Sequence, residues 1–212
     1  MAIFHPITTP LRDGAVVELF SPAEEDAQAL LDYLDLVRRE TSFIMYGPQD
    51  TLPELDAERK WVRNHLDHAR GLNLAVRVVK AGGGGDEPYV GQIVALAGLM
   101  GGHFRRVQHK AELGISARRH WSDRGLGTTM MQHLIDWATA HPDIEVLTLS
   151  VFAHNPRAIR LYEKCGFERH GVRPREVRYE DGTYADVLYM SRWVGSHAAP
   201  ASAAASTMQA EV

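Results

Sequence analysis

Hydrophobic positions recur along the chain with two periods. A period of two residues predicts a β-strand, and a period of about 3.6 residues predicts an α-helix. Alternating or continuous apolar runs predict seven strands, at residues 16–20, 73–79, 89–99, 110–117, 144–151, 177–179 and 183–190. Apolar positions three and four apart predict four helices, at residues 22–40, 53–69, 125–141 and 156–165. This order predicts one α/β domain whose mixed, largely antiparallel twisted sheet is flanked by helices, with a single central strand–helix–strand crossover.

The two ends of the chain carry neither period. Residues 1–14 are expected to form an irregular arm before a domain at 15–195, and the Ala/Ser-rich segment 196–212 is expected to be a disordered tail. The first helix is expected to begin at Ser21, because Pro22 and Glu24 follow it as in a capping box.

Composition narrows the class of protein. The 212 residues contain 23 Lys and Arg against 27 Asp and Glu, which disfavours a nucleic-acid binder. Apolar runs stay shorter than the roughly 18 residues of a membrane span, and the N-terminus does not resemble a secretory signal, so a cytoplasmic protein without a membrane partner is expected. Cys165 is the single cysteine, which excludes an internal disulfide, and it is expected to be a buried small hydrophobic residue.

A glycine-containing loop before the third helix has the features of an anion site. Arg118, Arg119 and Arg124 precede Gly125 and Gly127, where the helix begins. Free N–H groups and the helix dipole favour a phosphate at such a terminus. An ordinary glycine-rich turn with solvated arginines is the alternative. A dinucleotide fingerprint is excluded, because its third glycine would fall at Met130.

The fourth helix has strong boundary signals of its own. Asn155 suits the N-cap, Pro156 the first turn and Gly166 a left-handed C-cap. These three residues define a short helix whether or not a ligand binds there.

Together the two segments resemble the GNAT superfamily of acyl-CoA-dependent N-acetyltransferases. Residues 122–127 read S-D-R-G-L-G and resemble the family's Q/R-x-x-G-x-G/A loop, with Ser122 in place of Gln or Arg. Residues 155–167 read N-P-R-A-I-R-L-Y-E-K-C-G-F and resemble N-x-x-A-x-x-L-Y-x-x-x-G-F without a mismatch. The segment 171–190 resembles the branch that contains ribosomal-protein-alanine, polyamine and amino-acid acetyltransferases.

The resemblance implies a GNAT-like sheet with an acyl-CoA site at its central crossover and acetyl-CoA as co-substrate. It implies that Ile115, Ser116 and Ala117 end the strand that pairs with pantetheine, while Asn155 and Ala158 contact the pantetheine arm. The pyrophosphate would be held by Arg124, Gly125, Leu126, Gly127, Thr128 and Thr129. Tyr162 would approach the thioester sulfur as the general acid.

Acyl transfer to an amine also needs a base and a group that stabilises the oxyanion. Glu112 is the candidate base; a strand-edge charge paired with Lys110 or with an arginine is the alternative reading of this residue. A backbone amide near Ile115, freed where its strand diverges from a neighbour, is expected to meet the oxyanion.

Three hypotheses for the function remain open. The first is acetyl transfer to a primary amine of a small molecule (an amino acid, polyamine or antibiotic) by direct attack in a ternary complex. The second is acetylation of a peptide N-terminus, and the third is an acyl-CoA sensor, which has no reason to keep Tyr162. A homodimer is left open.

The remaining conspicuous residues have simpler interpretations. His65 and His68 share a helix without a third ligand, so no metal site is expected. Arg173, Arg175 and Arg178 are expected to form a solvated strand edge, with contact to an acidic substrate as the alternative.

Overall fold

The computed structural model describes residues 4–83 and 85–196, which form one sheet and four helices. The strands are β1 (Ile7–Pro10), β2 (Val16–Phe20), β3 (Gly71–Lys80), β4 (Ile93–Gly101), β5 (Lys110–Ala117), β6 (Val146–Phe152), β7 (Glu168–Arg178) and β8 (Tyr184–Trp193). The helices are α1 (Ala27–Glu40), α2 (Leu55–Asp67), α3 (Leu126–Ala140) and α4 (Pro156–Lys164). The expected α/β class is confirmed.

The strands lie in the order β1-β2-β3-β4-β5-β6-β8-β7. Neighbouring strands are antiparallel except β5 and β6, which are parallel. Parallel neighbours need a crossover connection, and α3 provides it. The predicted strand–helix–strand unit therefore lies at the centre of the sheet.

The pairing of β5 with β6 is short. It runs only from Lys110 opposite Val146 to Glu112 opposite Thr148, although β5 continues to residue 117 and β6 to residue 152. Beyond the last pair the two strands diverge and open a gap in the sheet.

Backbone groups of β5 face this gap. The carbonyl of His109 accepts from Val146 of β6, whereas the carbonyl of Lys110 accepts from Gly102 on the β4 side. The N–H and C=O groups of successive residues point to opposite sides of a strand. The N–H and C=O groups of Leu113 and Ile115 therefore point toward β6, beyond the end of the pairing.

The two faces of the sheet pack against different helices. On one face, Leu113, Leu147 and Leu149 share a core with Met130 and Leu134 of α3. On the other face, α1 and α2 contribute to a smaller core whose buried members are Phe20, Leu30, Tyr33, Val37, Val62, Ala75 and Ile93. The strand period of two then places Glu112, Ser150 and Tyr189 on the α1/α2 face, opposite the α3/α4 face.

The N-terminal elements differ from the expectation. Residues 7–10 pair with β2 as a strand, so the predicted irregular arm is wrong for this stretch. The helical run starts with a 3-10 turn at Glu24–Asp26, not at Ser21. The Ser21 hydroxyl instead donates to the Asn73 carbonyl at 3.0 Å, so it joins two segments that are distant in sequence.

The C-terminal elements agree in type but not in every boundary. β7 begins at Glu168, nine residues before the predicted start at residue 177, and is exposed along nearly its whole length. The expected disordered tail falls, from residue 197 onward, outside the described residues. No helix in the described part of the chain is long and apolar enough to cross a membrane.

Arg38 organises the connection between α1 and α2. It is only 8% exposed, and its Nη1 donates to the carbonyls of Gly47, Pro48 and Asp50 at 3.2, 3.0 and 2.7 Å. Its Nε and Nη2 bind the Asp35 carboxylate at 3.0 and 2.6 Å. One buried cation thus satisfies three carbonyls of a segment without regular structure.

We predict that Arg38→Met lowers the free energy of unfolding by about 3 kcal/mol, because it leaves these carbonyls and Asp35 without their donor. Limited proteolysis should then cut within residues 41–54. Arg39→Met is the matched control, since Arg39 binds the same carboxylate from an exposed position and should cost less than about 1 kcal/mol. Equal losses in urea denaturation of the two variants would contradict the prediction.

Candidate active site

The N-terminus of α3 is open for a ligand. Gly125 has a φ of +91°, a left-handed conformation that favours glycine, and no side chain caps the helix. Thr129 N–H makes the first helical bond to the Gly125 carbonyl at 3.1 Å. The preceding N–H groups therefore lack intrahelical partners, as an anion site requires.

The three arginines before this helix are already bound to protein groups. Arg118 Nη2 lies 2.7 Å from the Glu40 carboxylate, and Arg119 donates to the Glu40 carbonyl. Arg124 binds the carboxylate of Asp86. Arg118 and Arg124 are thus largely covered by protein contacts, unlike the solvated arginines of an ordinary turn, whereas Arg119 stays exposed.

Asp86 is the centre of the support for this loop. Its side chain is fully buried, and both its oxygens accept from Arg124 Nη1, at 3.0 and 2.8 Å. His120 Nε2 lies 2.7 Å from the same carboxylate, and Gly82 N–H donates to it at 3.2 Å. The hydrogen bond from Arg124 is the main cause that lowers the pKa of Asp86 to about 2. The turn between β3 and β4 thus anchors the loop that begins α3.

A cleft of about 1190 Å³ extends from this loop through the gap between β5 and β6. Most of the predicted site residues line it: Glu112, Ile115, Ser116, Ala117, Gly125, Gly127, Thr128, Asn155, Ala158 and Tyr162. Arg124, Leu126 and Thr129 are not among its lining residues. Leu126 is instead 1% exposed in the core, and Thr129 Oγ1 donates to the Gly125 carbonyl.

Asn155 lines the cleft and also caps α4. Its Oδ1 accepts from Ala158 N–H at 3.1 Å, which confirms the predicted N-cap. Gly166 has a φ of +78°, as predicted for the end of this helix. The helix boundaries read from the sequence are therefore nearly correct.

Tyr162 lines the cleft at the inner face of α4. The residue as a whole is 5% exposed, and no hydrogen bond of its hydroxyl is found among the described residues. Burial raises the pKa of Tyr162 to about 12. The phenol therefore stays protonated at neutral pH, as a proton donor must.

Cys165 follows α4 but does not line the cleft. It is half-buried against the core, and burial raises the pKa of its thiol. Because the thiolate is the nucleophilic form, this environment disfavours covalent catalysis.

Glu112 and Glu176 approach the cleft from the α1/α2 face. Glu112 is exposed and makes no ion pair within the described part of the chain, so the alternative pairing with Lys110 is absent there. Glu176 was missed in the sequence, where it appeared only as a polar residue between two of the arginines assigned to a solvated edge. It reaches the cleft through an irregularity of β7 that leaves no clear pattern in the sequence.

The histidines of α2 do not form a metal group. Within residues 4–83 and 85–196, no set of three His, Cys, Asp or Glu side chains could hold a metal ion. His65 Nδ1 lies 2.9 Å from the Trp61 carbonyl, a local contact within the helix.

Comparison with protein families agrees with this geometry. Residues 17–168 match the family model described as an acetyltransferase (GNAT) domain. The chain belongs to the GNAT family. It is an acetyl-CoA-dependent N-acetyltransferase, as the two sequence blocks implied.

This GNAT acetyltransferase is similar in sequence to a curated bacterial enzyme and in fold to several solved structures. An L-amino acid N-acetyltransferase of Escherichia coli (strain K12) is 31% identical over 115 residues, which cover 50% of this chain and 70% of that protein. A GNAT-family acetyltransferase from Streptococcus pneumoniae has a TM-score of 0.75 at 23% identity, over 84% of this chain and 99% of that one. The yncA putative acetyltransferase from Salmonella typhimurium, solved with acetyl-CoA, has a TM-score of 0.70 at 19% identity, over 87% and 98%.

We predict that Asp86→Asn destabilises this GNAT domain by about 3 kcal/mol at pH 7, because the buried Arg124 guanidinium loses its charged partner. The pKa of Asp86 in the folded protein, about 2, lies below the ordinary value of 3.8 for an aspartate. The stability that it contributes is thus present above about pH 4 and is lost as the pH falls toward 2. Urea denaturation of both proteins should show a difference that is constant from pH 7 to 5 and shrinks below pH 4.

Asp13→Asn is the matched control for this experiment. Asp13 lies 2.7 Å from the same guanidinium but is 37% exposed, so its loss should cost under about 1 kcal/mol. A difference between wild type and Asp86→Asn that persists unchanged to pH 3 would refute the role given to the carboxylate.

Proposed function

We propose that this enzyme transfers the acetyl group of acetyl-CoA to a primary amine of a small molecule, by direct attack in a ternary complex. The observation that carries the proposal is a cleft through the sheet with unlike groups on its two sides. Tyr162 lines the cleft from the α3/α4 face, and Glu112 from the other. A proton donor and a proton acceptor thus flank one gap.

The donor would be held by backbone more than by side chains. The N–H groups of residues 125 to 128 would bind the pyrophosphate at the start of α3. For Arg124 and Leu126 the contribution is limited to the backbone, since their side chains are used elsewhere, and Thr129 is left without a free donor because both its N–H and its hydroxyl bond the Gly125 carbonyl. The β5 backbone of residues 113–117 would pair with the pantetheine amides, with Asn155 and Ala158 across the gap.

We assign a candidate group to each chemical requirement of the reaction. Acetyl-CoA supplies an activated acyl group and a thiolate leaving group. Ile115 N–H, which points into the gap, would donate to the carbonyl oxygen as negative charge develops on it. Glu112, directly or through water, would take the proton of the attacking amine. Tyr162 would give its proton to the departing sulfur, so no acyl-enzyme is needed.

A screen of amines with acetyl-CoA would identify the class of acceptor. The E. coli relative is named for L-amino acids, which supports a small amine as the acceptor here. Release of free thiol from acetyl-CoA should be followed with L-amino acids, spermidine, kanamycin and a short peptide with N-terminal alanine. Activity restricted to the peptide would replace the proposal with N-terminal protein acetylation, and acetyl-CoA binding without any transfer would favour the sensor.

We predict that Gly125→Asp weakens acetyl-CoA binding at least about tenfold more than Gly125→Asn, as measured by calorimetry. Both side chains have nearly the same size and meet the same left-handed backbone, with Arg12 as their neighbour. Only the aspartate places a negative charge where the pyrophosphate would bind. Equal affinities in two folded variants would rule out this loop as the phosphate site.

We predict that Tyr162→Phe lowers kcat about 10²-fold or more while the acetyl-CoA affinity stays nearly unchanged, because the ring remains and only the proton donor is lost. Cys165→Ala is the matched control in the adjoining turn and should keep kcat within a few-fold. Full kcat in Tyr162→Phe under conditions where chemistry limits the rate, or an acetyl group on Cys165 in mass spectra, would overturn the mechanism.

A further inference from the structure

β7 departs from regular pairing beside the cleft. Arg173 lies opposite Val187 and Val177 opposite Ala185, so three residues of β7 face the single residue Asp186 of β8. The middle one, Arg175, has a φ of +57°, uncommon for a residue with a side chain, and its N–H donates to Asp186 Oδ1 at 2.8 Å. Such bulges redirect side chains and are frequent next to active sites.

The side chain that this bulge redirects is that of Glu176. It lines the cleft, and its Oε1 accepts from the Tyr189 hydroxyl at 3.4 Å. Arg173 Nη1 lies 3.1 Å from the same oxygen, but both side chains are well exposed, so this pair contributes little and can open. Glu176 therefore offers a carboxylate to the cleft that Tyr162 also lines.

Charge is divided between the two ends of the cleft. Its lining cations belong to elements around the phosphate loop and α4: Arg12, Arg119, Arg157, Arg160 and Lys164. Two of its lining carboxylates, Glu40 and Asp123, are paired with Arg118 and Arg157. Glu112 and Glu176 lie on the α1/α2 face, where the amine would approach. Glu112 has no ion pair among the described residues, and Glu176 has only the exposed pair with Arg173, so this end of the cleft is suited to a cation.

We propose that Glu176 determines acceptor specificity by binding a second positive charge of the substrate, so that diamines and polyamines are preferred over α-amino acids. The inference rests on the proposed function, because it assumes that the amine attacks from the α1/α2 face. The reacting amine must be neutral when it attacks and cannot hold an ion pair at that moment. A carboxylate other than the base, set to one side of the gap, is suited to a second ammonium group that stays charged.

The experiment compares spermidine with n-butylamine, which has the reacting amine but no second charge. Wild-type enzyme should have the higher kcat/KM for spermidine. Glu176→Gln should raise the KM for spermidine about tenfold or more, as expected for the loss of a charged hydrogen bond. The KM for acetyl-CoA and the kinetics with butylamine should stay within about twofold, and Glu176→Asp should recover part of the preference.

Two further variants separate this role from general effects. Glu180→Gln removes the same charge from the adjacent β7–β8 turn, outside the cleft lining, and should leave the preference for spermidine intact. Arg173→Gln frees the Glu176 carboxylate and should leave the KM for spermidine unchanged or lower. Glu112→Gln should act differently, with its largest effect on kcat at low pH, where most of the amine is protonated.

The outcomes separate a failure of the role proposed for Glu176 from a failure of the proposed acetyl transfer. If wild-type enzyme acetylates amines but Glu176→Gln keeps the full preference for spermidine, the role of Glu176 is wrong and the acetyltransferase proposal stands. If L-amino acids are preferred and Arg173→Gln raises their KM, the site binds a carboxylate and the inference is overturned. If no amine is acetylated at all, the proposed function itself fails.

Discussion

The candidate site depends on one constraint, the early end of pairing between β5 and β6. Two parallel strands at the centre of a sheet would normally continue to exchange hydrogen bonds along their full length. Here the exchange stops at Glu112 and Thr148, and β5 is left with backbone groups that face an open gap. A polar, extended ligand arm can satisfy those groups. The gap also lets residues on opposite faces of the sheet reach the same small volume.

The gap lies between two helix N-termini that are supported differently. α4 caps itself through Asn155, so its start is specified locally. The start of α3 depends on distant segments, because Arg124 is bound by Asp86 from the β3–β4 turn and by Asp13 from the β1–β2 turn. A buried carboxylate with three donors holds one geometry well. The loop can therefore present backbone N–H groups to an anion without using an arginine side chain for that purpose.

The two faces of the sheet carry different candidate site residues. α3 and α4 share the larger core and present the Tyr162 hydroxyl from one side. α1 and α2 cover the other side, where their connection is held together by Arg38 and where Glu112 and Glu176 lie. The candidate proton donor and the candidate amine-binding carboxylates thus lie on opposite faces of the sheet, and both line the same cleft.

The sequence by itself determined the elements whose signals are local. The periods of the apolar residues, the caps at Asn155 and Gly166 and the two glycines at the start of α3 depend on near neighbours, and the structure agrees with them closely. The resemblance of two blocks to one superfamily identified the family for the same reason, since each block is continuous.

Only the tertiary structure decided which polar groups are free. The sequence predicts that Arg118, Arg119 and Arg124 are available, yet Glu40 and Asp86 bind them from 38 to 79 positions away along the chain. Ser21 resembles a cap but binds Asn73, and Glu176 enters the cleft only because two extra residues in β7 change its direction. These outcomes depend on contacts between distant segments and on strand register, which local sequence patterns do not encode.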